Sequence, residues 1–301
     1  MIKPNKINIT ILSVSFRSGM HLNRLFNNLL NKSSNPETLK FLIVDNTNGE
    51  DEDLSNQLNS FHSIKFLKNS GAGMQRSISH AKALDLGLKN LDTDFCLIID
   101  PDVHIFYSGW DRFCIDLISK EPKTVIGAPY PDWKLGKVHD FPSVVFMFFK
   151  TKQINTLNKT FYPFPKTPKK ILNSVLRKIT RLGSFATKNR LSNNKRIRIL
   201  ALRLENIFGI TSPDTGNEII EHFRDVGYIT INFQAVYSNN LEIDKNSALY
   251  RLANEYELYL YDGEPWLTHM YGSGVFYWKT NKGSDIEYWM ELIKITESKL
   301  I

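Results

Sequence analysis

Two aspartates, Asp100 and Asp102, directly follow a short apolar run and are separated only by Pro101. The run, Phe95 to Ile99, is apolar throughout, which is typical of a buried strand. Residues i and i+2 of an extended segment face the same way, so both carboxylates can address one divalent cation. Mg²⁺ or Mn²⁺ suits such oxygen ligands, and a bound diphosphate could share the ion. A solvated turn is the alternative, because Asp-Pro-Asp is also good turn chemistry.

Two further apolar runs end in polar residues. The first, Ile7 to Val14, ends at Ser15, and the second, Leu39 to Val44, ends at Asp45. Carboxyl ends of parallel strands meet at one edge of a sheet, so Ser15, Asp45 and Asp100 should converge there. We expect the Asp45 carboxylate to lie near the nucleoside of a bound nucleotide. A helix cap or an Asx turn is the alternative for this residue.

A small-residue loop, Asn69-Ser70-Gly71-Ala72-Gly73, precedes a run with helical character. Free backbone N–H groups at such a helix start can hold phosphate, so Asn69 and Gly71 are candidate residues for binding a nucleotide. Arg76, one turn into the helix, could add a phosphate contact, or it could belong to a solvated helix face. The loop is too short and irregular for a dinucleotide fingerprint or a P-loop.

Strand-like and helical segments alternate over the first half of the chain. This order predicts an α/β fold with a mostly parallel, twisted sheet flanked by helices. The expected helices span His21 to Leu30, Ala72 to Leu91 and Trp110 to Lys120, and a later one spans Thr215 to Val226. A length of 301 residues and 42% hydrophobic content fit an ordinary folded domain.

The net charge of +7 is unevenly distributed. Residues 150–204 contain 15 lysines and arginines and no acidic residue, so the rest of the chain carries −8. Apolar residues recur there at helical spacing, which predicts an inserted, basic, amphipathic helical region. It could lie on an anionic membrane surface, where each basic residue contributes about 1 kcal/mol, or form a solvated face or an oligomer contact.

Features of the whole sequence bear on its compartment. Cys96 and Cys114 each stand among apolar neighbours, which indicates small buried side chains rather than a disulfide or a zinc site. The polar start, Met1 to Lys6, lacks the hydrophobic region of a secretion signal, and no apolar run is long enough to span a membrane. We expect a cytoplasmic protein, free or peripheral on the inner face of the cytoplasmic membrane.

These elements, in this order, resemble the family-2 glycosyltransferases with the GT-A fold. The resemblance covers about the first 130 residues and rests on four matches: Ser13-Val14-Ser15-Phe16, Val44-Asp45-Asn46, Asn69 to Gly73, and Asp100-Pro101-Asp102. It implies a Rossmann-like nucleotide-sugar-binding core over residues 1–149, followed by the basic insertion at 150–204. Residues 205–301 would form the acceptor side and a small C-terminal region.

The same resemblance implies roles for three later residues. Asp214, in Pro213-Asp214-Thr215-Gly216, would be the catalytic base, with Glu218 in reserve; a helix cap is the alternative for Asp214. His269 resembles the C-terminal histidine that supplies a further metal or diphosphate ligand, although a lone histidine is often structural. The usual Glu-Asp acceptor motif of the family is not literally present.

The resemblance therefore implies an inverting, Mn²⁺- or Mg²⁺-dependent glycosyltransferase. Its donor would be a UDP-, GDP- or dTDP-sugar, and its acceptor a glycan or lipid-linked glycan of bacterial surface polysaccharide synthesis. A sugar nucleotidyltransferase is one alternative, but Ser15 to Gly19 lacks the Gly-rich, basic loop that such an enzyme carries after its first strand. A non-enzymatic module that binds membrane or nucleic acid is another, but it leaves the Asp100 and Asp102 pair unexplained. No nucleic acid partner is expected.

Overall fold

A computed structural model describes most of the chain. The described residues are 7–155 except 72, 73, 75, 133, 135 and 136, then 159–164, 214–236, 241–270 and 286–300, with isolated positions between 168 and 207. The predicted basic insertion thus falls mostly outside the described residues. None of the described helices is long and apolar enough to cross a lipid bilayer.

Eleven strands occur in the described part of the chain. They are β1 (Ile9–Ser15), β2 (Leu39–Asp45), β3 (Ile64–Lys68), β4 (Phe95–Ile99), β5 (Val103–Ile105), β6 (Thr124–Pro129), β7 (Pro142–Lys150), β8 (Ile229–Asn232), β9 (Gln234–Ala235), β10 (Glu257–Tyr261) and β11 (Glu264–His269). Seven of them form the main sheet, in the order β3-β2-β1-β4-β7-β6-β8.

The main sheet is mostly parallel, as predicted. Strand β1 runs parallel to both β2 and β4, and β2 runs parallel to β3. Only β7 runs against its neighbours, β4 and β6, whereas β8 is parallel to β6. Ser15 pairs in register with Asp45, so the polar residues that follow these strands emerge at one edge of the sheet.

A second, antiparallel sheet has the order β5-β11-β10-β9. Its central hairpin joins β10 to β11 through Asp262 and Gly263, which have φ angles of 50° and 84°. Two successive positive φ angles are typical of the tight turns that match strand twist. Strand β11 then pairs with β5, which begins one residue after Asp102. The second sheet therefore brings the C-terminal part of the chain to the edge of β4.

Eight α-helices flank the sheets in the described residues. They are α1 (Gly19–Lys32), α2 (Leu54–Gln57), α3 (Arg76–Leu88), α4 (Trp110–Lys120), α5 (Thr151–Asn155), α6 (Asn217–Asp225), α7 (Ala248–Glu255) and α8 (Ile286–Leu300). A 3₁₀ turn, Pro36–Thr38, leads into β2. The predicted helix from Ala72 begins at Arg76 in the described part of the chain.

The main sheet is covered on both faces, which explains its continuous apolar strands. In β4, Leu97 packs into the core beneath α1 and α4, whereas Ile98 packs on the opposite face beneath α3 and α6. Both side chains are fully buried. Burial of such a side chain contributes about 1.5–3 kcal/mol. Because alternate residues of one strand enter different cores, a polar substitution at either position would be costly.

A third core lies between the second sheet and helices α7 and α8, with Leu252, Leu258 and Trp289 at its centre. Cys96 and Cys114 are free and buried in the first two cores, as predicted. Burial raises the pKa of both thiols well above their usual value. Both cysteines therefore act as apolar side chains.

Candidate functional site

Asp100, Asp102 and His269 form a compact group beyond the end of β4. Each offers one ligand atom, and these three atoms lie within 4.8 Å of one another. His269 Nε2 lies 3.2 Å from Asp102 Oδ1 and 3.9 Å from Asp100 Oδ2. Two carboxylates and one imidazole nitrogen are a donor set that suits a divalent cation such as Mn²⁺.

Three elements position this group. Strand β4 delivers Asp100, and Asp102 lies in a turn, not in the extended segment expected from the sequence. The two carboxylates still approach each other across the turn at Pro101 and Asp102, which joins β4 to β5. His269 ends β11 and pairs in register with Val103, while the Met270 N–H donates to the Asp102 carbonyl at 2.9 Å. Pairing of β5 with β11 thus fixes the histidine against the aspartates.

A buried acidic residue, Glu257, holds the other side of the His269 ring. Its Oε2 lies 2.8 Å from His269 Nδ1, and its Oε1 forms an ion pair with Lys134. The Tyr259 hydroxyl lies 3.3 Å from the same Oε2. All of these side chains are buried. Charged groups continue from Asp102 through His269 and Glu257 to Lys134.

The pKa values of this group follow from burial and charge. Burial raises the pKa of Asp100 to about 7, with added repulsion from Asp102 and Asp214 and a partial offset from His269 and Lys134. Burial would lower the pKa of His269, but the charge of Asp102 and the hydrogen bonds to Asp102 and Glu257 outweigh it and raise the pKa to about 10. Without a cation, His269 is therefore protonated at neutral pH and neutralises part of the negative charge.

Arg24 of α1 holds the turn that carries Asp102. Its guanidinium donates to the carbonyl of Pro101 at 3.3 Å and to that of Val103 at 2.5 Å. The same group lies 4.6 Å from the centre of the Trp289 ring, on α8. Burial lowers the pKa of Arg24 to about 10, partly offset by the charge of Asp102. The carbonyls on either side of Asp102 are thus held by one buried cation.

A second cluster lies beyond the ends of β1 and β2. The Asp45 carboxylate accepts from the N–H of Thr47 at 2.9 Å and from its hydroxyl at 2.6 Å. The Asn46 amide donates to Ser79 at 2.7 Å, and the Asn69 amide donates to Asn46 Oδ1 at 2.7 Å. Asp45 therefore forms the Asx turn that was the alternative to a ligand role, and a carboxylate can serve in both.

Gly71 is required by this second cluster. A Cβ at position 71 would lie 2.1 Å from Ser79 Oγ and 2.2 Å from Asn46 Oδ1, far inside van der Waals contact. The backbone of the loop therefore approaches the Asn46 side chain as only glycine allows. The Asn46 N–H in turn donates to the Ser15 carbonyl at 2.8 Å. Ser15, Asp45, Asn69 and Gly71 are thus parts of one connected arrangement.

Asp214 precedes α6 and lies where its charge acts on Asp100 and His80. Its carboxylate accepts from Lys137 at 2.5 Å, from the Ser77 hydroxyl at 2.8 Å and from the Thr215 N–H at 2.9 Å. Burial opposes ionisation, but these partners outweigh it, with Lys137 the strongest, and hold the pKa of Asp214 well below its usual range. Thr215 precedes the helix, and Gly216 is the N-cap residue of α6. Among the contacts of the described residues, the Asp214 side chain therefore does not cap this helix.

No protein-family model matches this chain, and no curated protein does. The chain aligns with solved structures of low identity. A mannosyltransferase, PcManGT from Pyrobaculum calidifontis, in complex with GDP-Man and Mn²⁺, is 12% identical over 52% of this chain and 48% of that one, with a TM-score of 0.41. TarS from S. aureus, in complex with UDP-GlcNAc, is 14% identical over 52% of this chain and 49% of that one, with a TM-score of 0.39.

This chain thus spans about half the length of those two structures. Another TarS structure covers 67% of this chain and 73% of that one, at 11% identity and a TM-score of 0.40. The mannosyltransferase among these structures is named for the class of enzyme that the sequence resembles. With TM-scores below 0.5, the function of this chain is inferred from the geometry of its own residues.

The remaining predicted residues lie apart from the metal group or outside the described atoms. Glu218 is on the first turn of α6, where its Oε1 lies 3.9 Å from Lys159 and its side chain is 43% exposed. Arg76 is the first residue of α3, but the structure describes only its backbone. Ala72 and Gly73 of the predicted loop lie outside the described residues.

Several residues of the site escaped sequence reasoning: Arg24, His80, Lys134, Lys137 and Glu257. None belongs to a motif, and each acts through a partner that is distant in sequence. One signal was available for Glu257. Asp262-Gly263 between two runs rich in aromatic and other apolar residues predicts a hairpin, which would have brought Glu257 close to the end of the strand that carries His269. A regular two-residue turn would pair Glu257 with Thr268, and the observed pairing with His269 depends on a register shift between Tyr259 and Leu260.

Proposed function

We propose that this protein is a metal-dependent glycosyltransferase that moves a sugar from a nucleotide-sugar donor to a glycan or lipid-linked acceptor. The observation that carries the proposal is the convergence of Asp100, Asp102 and His269 at the end of a parallel strand. That edge of an α/β sheet is where ligands bind. The nearby cluster around Asp45 and Asn69 offers a place for the nucleoside.

The donor set fits Mn²⁺ or Mg²⁺. Asp100, Asp102 and His269 would hold the ion, and three protein ligands leave coordination positions for diphosphate oxygens. When bound, the cation would stabilise the negative charge that develops on the departing nucleoside diphosphate. The backbone of the Asn69 loop would hold the donor, and Asp45 would accept from the nucleoside. Ser15 and Gly71 would keep this part of the pocket in shape through their contacts with Asn46.

Asp214 would serve as the base for an inverting reaction. It would take the proton from the acceptor hydroxyl as that oxygen bonds to the anomeric carbon and the bond to the diphosphate breaks. Its ionised state and the effect of its charge on Asp100 support this role. Lys137 must move away for Asp214 to act, because the ion pair makes the carboxylate a weak base. Glu218 remains in reserve as a half-exposed alternative.

Calorimetric titration tests the donor site. UDP-, GDP- and dTDP-sugars would be titrated with Mn²⁺ and with chelator into the wild type, Asp102→Asn and Asp116→Asn. Asp116 is the control, since its exposed carboxylate lies 3.7 Å from Arg112 on α4. We expect one nucleotide to bind only with the metal, and this binding to be lost in Asp102→Asn alone. Absence of nucleotide binding under every condition would refute the proposal.

The basic segment at 150–204 would bring the enzyme to a membrane that carries a lipid-linked acceptor of surface polysaccharide synthesis. Its 15 basic residues without an acidic one support attraction to anionic lipid. Co-sedimentation with phosphatidylglycerol vesicles should fall steeply between low and physiological salt, and neutral phosphatidylcholine vesicles should not bind. Equal binding to both kinds of vesicle would contradict this role.

A further inference from the structure

We propose that Glu257 is a positioning residue for the metal ligand His269, which it holds through Nδ1 so that only Nε2 faces the cation. This inference rests on the proposed function, because it assigns a purpose to a residue behind the proposed metal site. Nothing in the motifs of the chain points to Glu257. Its contacts do.

The two oxygens of Glu257 have different partners. Oε2 lies 2.8 Å from His269 Nδ1, and Oε1 pairs with the Lys134 ammonium. Glu257 is 4% exposed and Lys134 is also 4% exposed, so both charges are out of water. A buried charge without a partner is strongly destabilising, and Lys134 provides that partner. Glu257 can therefore remain ionised behind the ring without an excess of buried negative charge.

The strands fix the reach of Glu257 as well as its charge. Glu257 begins β10 and His269 ends β11, and the two are paired residues of the antiparallel ladder. The Thr268 hydroxyl donates to the Glu257 carbonyl at 2.8 Å, which ties the ends of both strands together. Because they are directly paired, the two side chains lie next to each other on the sheet. The carboxylate and the ring therefore meet in a geometry that the hairpin imposes.

A neutral imidazole has a proton on one ring nitrogen and a free lone pair on the other. The group that hydrogen-bonds to the nitrogen away from the metal decides which nitrogen keeps the proton. A carboxylate at Nδ1 favours the tautomer with Nδ1–H, which leaves the lone pair on Nε2. Nε2 is the nitrogen that lies 3.2 Å from Asp102. Such carboxylate–histidine pairs behind a metal typically change metal affinity by about 10–100-fold when they are broken.

Mn²⁺ affinity measures this role without relying on activity. Electron paramagnetic resonance of free Mn²⁺ would give the dissociation constant for the wild type, Glu257→Gln and Glu257→Ala. We expect Glu257→Ala to weaken binding by about 10–100-fold. Glu257→Gln should weaken it less, because its amide oxygen can still accept from Nδ1–H.

Glu297→Gln is a matched control. Glu297 joins His104 at 3.2 Å and Lys32 at 2.9 Å, which are the same three residue types. Within the described part of the chain it does not contact the proposed metal ligands directly, and its one link to the Asp102 turn runs through His104 Nδ1, which lies 3.4 Å from an Arg24 nitrogen. This variant should bind Mn²⁺ as the wild type does. Wild-type Mn²⁺ affinity in both Glu257 variants would overturn only the positioning role of Glu257 and would leave the proposed metal site intact. No Mn²⁺ binding by the wild type would instead overturn the metal site, and with it the proposed function and this inference.

A measurement on the wild type guards against variants that do not fold. Nitrogen-15 histidine NMR with Zn²⁺ as a diamagnetic probe reports which ring nitrogen keeps its proton. The proposal requires that His269 bind Zn²⁺ through Nε2 and retain the proton on Nδ1. Coordination through Nδ1, or a proton retained on Nε2, would overturn it.

Discussion

At the scale of single residues, Asp214 is the proposed base, yet its surroundings are those of a weak base. Lys137, Ser77 and Thr215 all donate to its carboxylate, and Lys137 has the largest effect in lowering its pKa. A carboxylate held in this way is ionised at every physiological pH. It accepts a proton readily only when one of its donors is withdrawn. The residue that controls the proposed base is therefore Lys137.

The variant Lys137→Met should move the acid limb of the pH–rate profile to higher pH, since loss of the cation raises the pKa of Asp214 toward its usual range. Rates measured at saturating donor and Mn²⁺ from pH 4 to 9 would show the shift. Lys159→Met is the control, because Lys159 lies 3.9 Å from Glu218 and its charge does not contribute to the lowered pKa of Asp214. An acid limb that moves equally in both variants would show that Lys137 does not control the base.

At the scale of elements, three segments meet at the turn that carries Asp102. Helix α1 supplies Arg24, α8 supplies the Trp289 ring beneath it, and β11 supplies the Met270 N–H that bonds to the Asp102 carbonyl. The turn itself is too short to have a preferred shape of its own. Its neighbours therefore determine where the Asp102 carboxylate points.

Replacement of Arg24 by Met should weaken both the fold and donor binding. Two carbonyls lose a charged donor. A hydrogen bond to a charged group contributes about 1.5–3 kcal/mol, and the longer bond to the Pro101 carbonyl, at 3.3 Å, contributes less. We expect urea unfolding to report a loss of about 2–4 kcal/mol and calorimetry a weaker metal-dependent donor complex. Arg112→Met, at a side chain that is 75% exposed, should change neither. Unchanged donor affinity in Arg24→Met would show that the turn holds its shape without α1.

Sequence reasoning succeeded where neighbouring residues determine the structure. Apolar runs such as Phe95 to Ile99 predict the strands β1, β2 and β4, because a strand buried on both faces must be apolar throughout. Helix α4 was also predicted from its own segment, Trp110 to Lys120. It failed for β5, which has only three residues and gains its partner from β11, far along the chain. The sheet order was also out of reach, because strand pairing between distant segments leaves no local pattern.

The candidate site divides in the same way. Asp45, Asp100 and Asp102 could be selected because each follows a recognisable strand. His269 was selected only through a family resemblance, and Glu257 and Lys134 not at all. Their function depends on the pairing of β10 with β11 and on a loop that reaches across the sheet edge. Such contacts are properties of the folded chain and not of any segment.

At the scale of the whole molecule, the protein without metal should lose stability as the pH rises. The pKa of His269 is raised to about 10, so its contribution is complete below its unfolded pKa of about 6.5 and is lost as the pH rises through about 10. Ionisation of Asp100, whose pKa is raised to about 7, destabilises the fold over a lower range, as the pH rises from about 4 to about 7. One group changes the unfolding free energy by at most about 1.4 kcal/mol per pH unit.

Thermal unfolding in chelator from pH 6.5 to 9 measures this effect, with His269→Gln as the comparison variant that lacks the titrating imidazole. The wild type should lose more stability than the variant over that range. Added Mn²⁺ should reverse the difference, because a cation displaces the proton and binds more tightly as the pH rises. A wild type whose stability in chelator does not fall between pH 6.5 and 9 would mean that the pKa of His269 is not raised in the folded protein.

The pairing of β5 with β11 also constrains when the proposed metal site can form during synthesis of the chain. Asp102 leaves the ribosome long before His269, and the strand that joins them cannot pair until β11 has emerged. A nascent chain therefore holds two aspartates without their histidine while the residues between Asp102 and His269 are synthesised. Incomplete products that end before the hairpin would lack the third ligand. The proposed metal site can therefore form only after β11 has been synthesised.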